Sequence, residues 1–296
     1  FFKFEQPEKA VIEKKAFNDN AVIYGYANSA AEEFAKNNDI KFVAVNSHDE
    51  YLSLLTYSDT DNSSYKSAID ELSQLGIING FEDGTFKPQD NVTRAQAATM
   101  FATALGYSDT KYQNIATDKA VFSDFLMSHW AYKYADYVMK SADISSGETN
   151  CILSGFEDGT FRPDNNVTII QLLKMAICSL GEDGYMAEAV ENGGYPNGYN
   201  TVAGKYGFSK SIAVDDINQP ATREQTAQII SNTINMPIKR FGAINSITAD
   251  HKTESEKFLV TYDGSKEYYP LTTLKTMLQT NDWGNQTAFA TKSPLE

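Results

Sequence analysis

The sequence predicts a mainly α-helical protein, and three observations carry that expectation. The stretch GFEDGTFKPQDNVTRAQAATMFATALG, Gly80 to Gly106, returns in close copy from Gly155 to Gly181. In each copy a Thr precedes a Gln by three residues, Thr93 with Gln96 and Thr168 with Gln171, and the pair recurs as Thr222 with Gln225. Such a pair is a capping box, in which two side chains satisfy backbone donors reciprocally at a helix start. Behind each box apolar residues follow at helical spacing: Ala97, Met100, Phe101, Ala104 and Leu105; Leu172, Met175, Ala176 and Leu180; Ile229, Ile230 and Ile234. Gly106 and Gly181 suit the left-handed position that closes a helix.

Taken in order, residues 1–56 stand outside the repeat. Val22 to Tyr26 and Lys41 to Val45 read as short strands around a helix at Ser29 to Lys36, a small α/β unit or an arm that packs on a neighbour. The first unit opens with Tyr57-Ser58-Asp59, runs through a helix carrying Ala68, Leu72 and Leu75, and reaches Gly76-Ile77-Ile78-Asn79-Gly80 before the repeated stretch. In that stretch Asp83-Gly84 and Lys87-Pro88 flank Thr85 and Phe86, so the backbone reverses twice around one aromatic anchor. The second unit has Phe122-Ser123-Asp124, His129-Trp130-Ala131, a helix over Tyr134, Tyr137 and Val138, an insertion around Gly147 to Cys151, and its own Asp158-Gly159-Thr160-Phe161 turn. The third is worn: Gly193-Gly194-Tyr195-Pro196-Asn197-Gly198-Tyr199, a helix over Val202 and Tyr206, no Asp-Gly-Thr-Phe turn, then Ala221-Thr222-Arg223-Glu224-Gln225. After Pro237 the helical pattern stops. Phe258 to Tyr262, Asp263-Gly264 and Lys266 to Tyr269 read as a β-hairpin, and Leu271 to Leu278 as a short helix.

Composition narrows the function classes. At 296 residues the chain is long enough for a well-buried core and two or three structural units. A net charge of -14 argues against nucleic-acid phosphates as the partner. No apolar run reaches the length of a membrane span. The opening FFKF is too short for a signal peptide and no initiator Met stands before it, so a processed or trimmed product is expected. Seventeen Tyr and two Cys suit an extracellular protein. Cys178, on an apolar helix face, reads either as a buried thiol or as the disulfide partner of Cys151.

The order Phe/Tyr-Ser-Asp, helix, Gly-Ile-Ile-x-Gly, Asp-Gly-Thr-Phe-x-Pro, Val-Thr-Arg-Ala-Gln, helix, Leu-Gly resembles the S-layer homology family. The resemblance runs from Tyr57 to Met236, and Gly193 to Tyr199 followed by Pro220-Ala221-Thr222-Arg223 is similar to the third repeat of clostridial members. It implies three repeats at 57–120, 121–184 and 185–236, flanked by an N-terminal segment (1–56) and a β-rich C-terminal segment (237–296). It also implies a pseudo-threefold prism of helices with grooves that bind a pyruvylated secondary cell-wall polysaccharide.

The residues themselves make a case for anion binding. Arg94 opens its helix, where a guanidinium would stand beside free N–H groups and the positive end of the helix dipole; a carboxylate arriving there could take bonds from both. Arg223 holds the equivalent place, whereas Thr168-Ile169-Ile170-Gln171 keeps the cap and loses the Arg, so its site is expected to be weak, remodelled or dead. The alternative for each Arg is a solvated surface residue. Asp59 and Asp124 read equally as caps for the first helix of their units or as acceptors for sugar hydroxyls. Gly80, Gly84, Gly155 and Gly159 are turn residues whose bare backbone would also let a sugar approach, with Asp83 and Thr85 beside them. Trp130, Tyr195 and Tyr199 suit either stacking on sugar rings or packing.

Other chemistry is poorly supported. Asp59, Asp61 and Ser63 begin with calcium-loop spacing, but Ser64 stands where the tight turn wants Gly, which leaves Ca2+ a weak candidate. His48, His129 and His251 lack zinc-site spacing, and no nucleophile elbow, phosphate loop or dinucleotide fingerprint occurs. The expected protein is therefore a non-enzymatic surface protein, anchored to wall polysaccharide and joined in a homo-oligomeric assembly. The alternatives are the anchor of a larger exported enzyme, or a filament subunit whose repeats mediate assembly.

Overall fold

The computed structural model describes residues 22–47, 50, 56–107, 109–113, 116, 119–141, 152–180, 185–213, 215–236, 244–250, 257–262, 265–270 and 274–275. The protein is helix-rich with few strands. Strands β1 (Val22–Gly25) and β2 (Lys41–Ala44) pair in parallel around helix α1 (Ala30–Asn37), which Ser29 caps by accepting from the Glu32 N–H. Eight further helices are described: α2 (Lys66–Gln74), α3 (Arg94–Ala104), α4 (Asp109–Gln113), α5 (Tyr132–Ser141), α6 (Ile169–Cys178), α7 (Ala187–Glu191), α8 (Asn197–Tyr206) and α9 (Arg223–Ile234). Beyond them β3 (Ile244–Asp250), β4 (Lys257–Tyr262) and β5 (Ser265–Pro270) form an antiparallel sheet in that order. The hairpin expected around Tyr262 is present as β4 and β5, while β3 carried no sequence signal. Asp263, Gly264, Cys151, Gly181, His48, His251 and most of 271–278 lie outside the described residues.

The three capping boxes form as the sequence predicts, at Thr93, Thr168 and Thr222. They start the helices that make the core. α3 buries Ala97, Met100, Phe101 and Ala104 as expected, but also Ala95, Ala98 and Ala102, so it is a hub buried almost all round rather than a one-faced surface helix. Its small residues permit that, because alanines let neighbours approach from several sides. Cys178 is a buried thiol, its Sγ 3.8 Å from Tyr199 Oη.

The capped helices are joined head to head. The Val92 N–H donates to Ala221 O at 3.0 Å, the Ala221 N–H to Val167 O at 2.9 Å, and the Val167 N–H to Val92 O at 2.9 Å, which closes a ring of backbone bonds. Short bridges run alongside, Asn91 with Thr222, Thr93 with Asn166 and Thr168 with Pro220. Away from the ring, α5 packs on α3, α8 on α6 and α2 on α9, each leading helix against the capped helix of the preceding segment. Glu224 strengthens the closure by accepting from Ser63 Oγ and Gln89 Nε2, both at 2.6 Å. Segments far apart in sequence are thus locked into one core.

Residues 274–275 return to this core. Leu274 is buried in the same hydrophobic cluster, and Lys275 Nζ lies 2.6 Å from Glu71 Oε1. Glu71 also accepts from Ser231 of α9 and from Asn235, which caps the end of that helix. Burial alone would raise its pKa, but the hydrogen bonds from Lys275, Ser231 and Asn235 prevail and hold it below the usual carboxylate value. A depressed carboxylate contributes stability above its unfolded pKa and loses it as pH falls through the folded one. Melting temperature followed from neutral to acid pH is therefore expected to fall less steeply in Glu71→Gln than in the parent; identical profiles would remove Glu71 from the acid transition.

Candidate functional site

The candidate site is built on the two Asp-Gly-Thr-Phe turns. In the first, Asp83 Oδ1 accepts from the Thr85 N–H at 3.0 Å and from Thr85 Oγ1 at 2.6 Å, while Gly84 takes φ +78° with nothing within 4 Å of where a Cβ would be. The turn delivers Phe86 into the core, fully buried. Asp59 then grips it, Oδ1 accepting from the Phe86 N–H and Oδ2 from the Lys87 N–H, each at 2.8 Å. The second turn repeats this with Asp158 and Thr160, Gly159 at φ +77°, and Asp124 accepting from the Phe161 and Arg162 N–H groups at 2.7 and 2.8 Å. Thr160 and Arg162 hold the Asp158 pKa down at about 2.

These contacts revise several expectations. Asp59 and Asp124 cap neither α2 nor α5; they tie down the turn twenty-seven to thirty-eight positions downstream, a contact no local pattern announces. Gly80 and Gly155 are not left-handed turn residues. A Cβ at Gly80 would lie 2.2 Å from the Tyr57 ring and 2.7 Å from Thr85 O, and one at Gly155 would lie 2.2 Å from the Phe122 ring and 2.8 Å from Thr160 O. The bare backbone there admits an aromatic ring of the same segment. Gly84 and Gly159 stay open. With both Asp59 oxygens engaged by the turn, the calcium-loop spacing has no loop to serve, and among the described residues no three His, Cys, Asp or Glu side chains group as metal ligands.

The helix starts hold no free N–H groups, which corrects the expected dipole site. The Arg94 N–H donates to Asn165 O and the Ala95 N–H to Pro163 O; the Gln96 N–H donates to Thr93 Oγ1. At α6 the first two partners are Gln219 O and Ile217 O, at α9 Asp90 O and Pro88 O, with the Thr caps completing each set. Ring closure therefore consumes the donors that an isolated helix would offer an anion.

The two arginines are buried, 7% exposed for Arg94 and 6% for Arg223, against the surface reading of either. Arg94 Nε donates to Phe161 O and Nη2 to Ser154 O, both at 2.8 Å, and its guanidinium lies over the rings of Phe156 and Phe161. Arg223 repeats the arrangement on the first turn, with Nε to Phe86 O at 2.7 Å, Nη2 to Asn79 O at 3.1 Å, and Phe81 and Phe86 beneath. Each Arg thus clamps the turn of another segment. Nη1 of each has no hydrogen-bond partner among the described residues. Burial pushes the Arg94 pKa down to about 10, with Arg162 adding to the effect, so the group is still cationic at neutral pH. Burial lowers Arg223 in the same direction.

Ile169, fully buried, takes the place of the Arg in α6. Opposite it, where the third segment lacks an Asp-Gly-Thr-Phe turn, only the backbone of Ile217 and Gln219 is offered. The missing Arg and the missing turn are two halves of one absent contact.

Further side chains stand beside the Arg94 clamp. Tyr195, half exposed, lies close enough to share an electrostatic interaction with Arg94, and Lys174 Nζ stands 6.0 Å from its ring centre and 3.4 Å from Ser154 Oγ. Tyr199, by contrast, is core. Trp130 is exposed, with its ring beside His129, two residues before α5 as Tyr195 stands two residues before α8. The structure thus brings Arg94 and Tyr195 together and adds Lys174, Ser154 and Phe156; around Arg223 it adds Asn79 and Phe81. None of these additions carried a sequence signal except the phenylalanines, which repeat with their turns.

Residues 56–98 and 121–168 match the S-layer homology domain family. The chain is 40% identical over 91 residues to Cell surface glycoprotein 1 of Acetivibrio thermocellus, covering 31% of this chain and 3% of that protein. It is 36% identical over 92 residues to the Cellulosome-anchoring protein of the same organism, covering 31% and 18%. An endoglucanase of a Bacillus species is 27% identical over 139 residues, covering 47% and 13%. The chain therefore spans less than a fifth of the length of each of these relatives. Over residues 56–98 and 121–168 this chain is thus similar to S-layer homology domains.

Proposed function

We propose that the chain anchors a surface protein to the cell wall, through three S-layer homology repeats that close into a pseudo-threefold prism and bind an anionic, pyruvylated wall polysaccharide in the grooves at Arg94 and Arg223. Its place is the cell surface or wall, and the module itself performs no catalysis. The observation that carries the binding reading is the pair of guanidiniums, each clamped through Nε and Nη2 with Nη1 left over and no carboxylate salt-bridged to it among the described residues. A cation fixed in that way is pre-organised for a carboxylate, because the ordering cost has been met in folding. The ring of backbone bonds supports the threefold reading, since the segment holding Thr222 enters it on the same terms as the two matched segments. Asp83, Thr85, Gly84 and Gly159 border the grooves as open turn surface, and Trp130 and Tyr195 supply exposed aromatic faces for sugar rings.

The test is a sedimentation assay on isolated Gram-positive cell walls, before and after mild acid removes ketal pyruvate. Binding is expected to drop at least about tenfold after removal, the loss of a charge-assisted contact at each groove. Equal sedimentation with both preparations would refute carboxylate recognition. The endoglucanase relative favours a second reading, in which the same anchor holds an exported enzyme; both readings share the binding step.

A further inference from the structure

Lys174 lies on α6, six residues beyond its cap Thr168, and reaches Ser154 Oγ at 3.4 Å. Ser154 is also the residue whose carbonyl holds Arg94 Nη2, so two cations and the half-exposed Tyr195 meet around one small side chain. Among the described residues several other cations are neutralised. Lys66, Lys87, Lys133, Lys140, Arg162, Lys205 and Lys275 each pair with a carboxylate. Among the described residues neither Arg94 nor Lys174 does; their polar contacts are those to Ser154 and Phe161.

The groove at Arg223 is built differently at the same place. There Asn79 O replaces Ser154 O, and the position six beyond the cap Thr93 is Thr99, whose Oγ1 donates to Ala95 O at 3.0 Å. Thr99 is neutral and spends its hydroxyl on its own helix. The Arg94 side therefore presents two cations with no carboxylate in ion-pair contact and the Arg223 side one, with Asp124 attracting Arg94, and Asp90 and Asp59 attracting Arg223, from further off.

We propose that the two grooves are unequal, the one at Arg94 being dibasic, with Lys174 as the residue that sets its preference for an acidic over a neutral sugar. This rests on the wall-polysaccharide reading above. A carboxylate entering beside Ser154 meets the spare Arg94 N–H groups and the Lys174 ammonium together, whereas at Arg223 it meets a guanidinium alone. The dibasic groove is accordingly the more salt-sensitive of the two.

Calorimetric titration of the full chain with a ketal-pyruvylated monosaccharide glycoside, and with its methyl ester, separates charge from shape. The parent protein is expected to prefer the acid. Lys174→Gln is expected to weaken acid binding about fivefold, the scale of one exposed charge contact, and to leave ester binding unchanged. Thr99→Lys should strengthen acid binding at the second groove by a similar factor. Circular dichroism of both variants should match the parent, since neither position is buried. If Lys174→Gln keeps the parent's full acid preference, or Thr99→Lys adds nothing, the inequality of the grooves is refuted and the wall-polysaccharide reading stands. If the parent binds acid and ester alike, or neither, the carboxylate reading fails and the role of Lys174 falls with it.

Discussion

Arg94→Ala is expected to lower stability by about 2–4 kcal/mol, because it removes two charge-assisted hydrogen bonds and leaves one buried and one part-buried acceptor unsatisfied. The acceptors are Phe161 O and Ser154 O, sixty or more residues away and on another segment. The loss therefore falls on the joint between the first and second segments, not on α3, whose cap at Thr93 is untouched. Urea denaturation is the direct measurement, and a change within about 0.5 kcal/mol, the range of ordinary surface substitutions, would show that the clamp contributes nothing. Arg94→Lys refines the result. A lysine keeps the charge but cannot reach two carbonyls with a planar fork, so most of the destabilisation should persist. For wall binding the consequence is practical: an alanine variant at Arg94 confounds recognition with folding, and Lys174 is the cleaner probe.

Gly198→Ala is expected to cost about 3 kcal/mol or more, at the upper end for overpacking, because the obstruction is backbone rather than a side chain that can turn aside. A Cβ there would sit 1.9 Å from Ala189 O, 3.0 Å from Ala189 C and 3.2 Å from Asn192 C, so α8 and α7 would have to separate. Gly204 on the same helix is the internal control. Nothing lies within 4 Å of its added Cβ, and Gly204→Ala is expected to stabilise by up to about 1 kcal/mol through helix propensity. Thermal melts of the two variants should therefore move in opposite directions; a parallel shift would mean that α7 and α8 are not in the contact described.

Much of the fold was legible because its signals are short-range. A capping box spans three residues, an Asx turn two, and a left-handed Gly one, so Thr93, Asp83 and Gly84 each announced their local structure. β1, α1 and β2 emerged in the expected order for the same reason, as did the hairpin of β4 and β5. The helices over Ala68, Tyr134 and Val202 followed from periodicity. β3 was missed: Ile244–Asp250 reads as mixed polar sequence, and a strand of that kind is defined by its partner β4 rather than by itself.

The site was less legible, and its residues show why. Arg94 and Arg223 were singled out for the right position and the wrong surroundings. A helix start read from sequence has free N–H groups; in the folded chain Asn165, Gln219 and Asp90 carbonyls occupy the first of them. Tyr195 and Tyr199 are equivalent by type, yet one is half exposed beside Arg94 and the other is core, because Tyr195 precedes α8 while Tyr199 lies on its buried face. Lys174 carries no signal in the sequence, and only the fold, through Ser154, links it to Arg94.

By itself the sequence determined the repeated turns, the capped helices and the loss of Arg at Ile169, since all of these are written within a few residues of one another. Only the tertiary structure decided that the capped helices close on one another through Val92, Val167 and Ala221, and that each Arg holds a turn belonging to another segment. The physical reason is that a buried guanidinium must spend its donors on whatever acceptors surround it, and those acceptors are brought there by contacts between residues sixty to one hundred and forty-four positions apart. The charge left over at Nη1, and its pairing with Lys174 in one groove but not the other, belongs to that level alone.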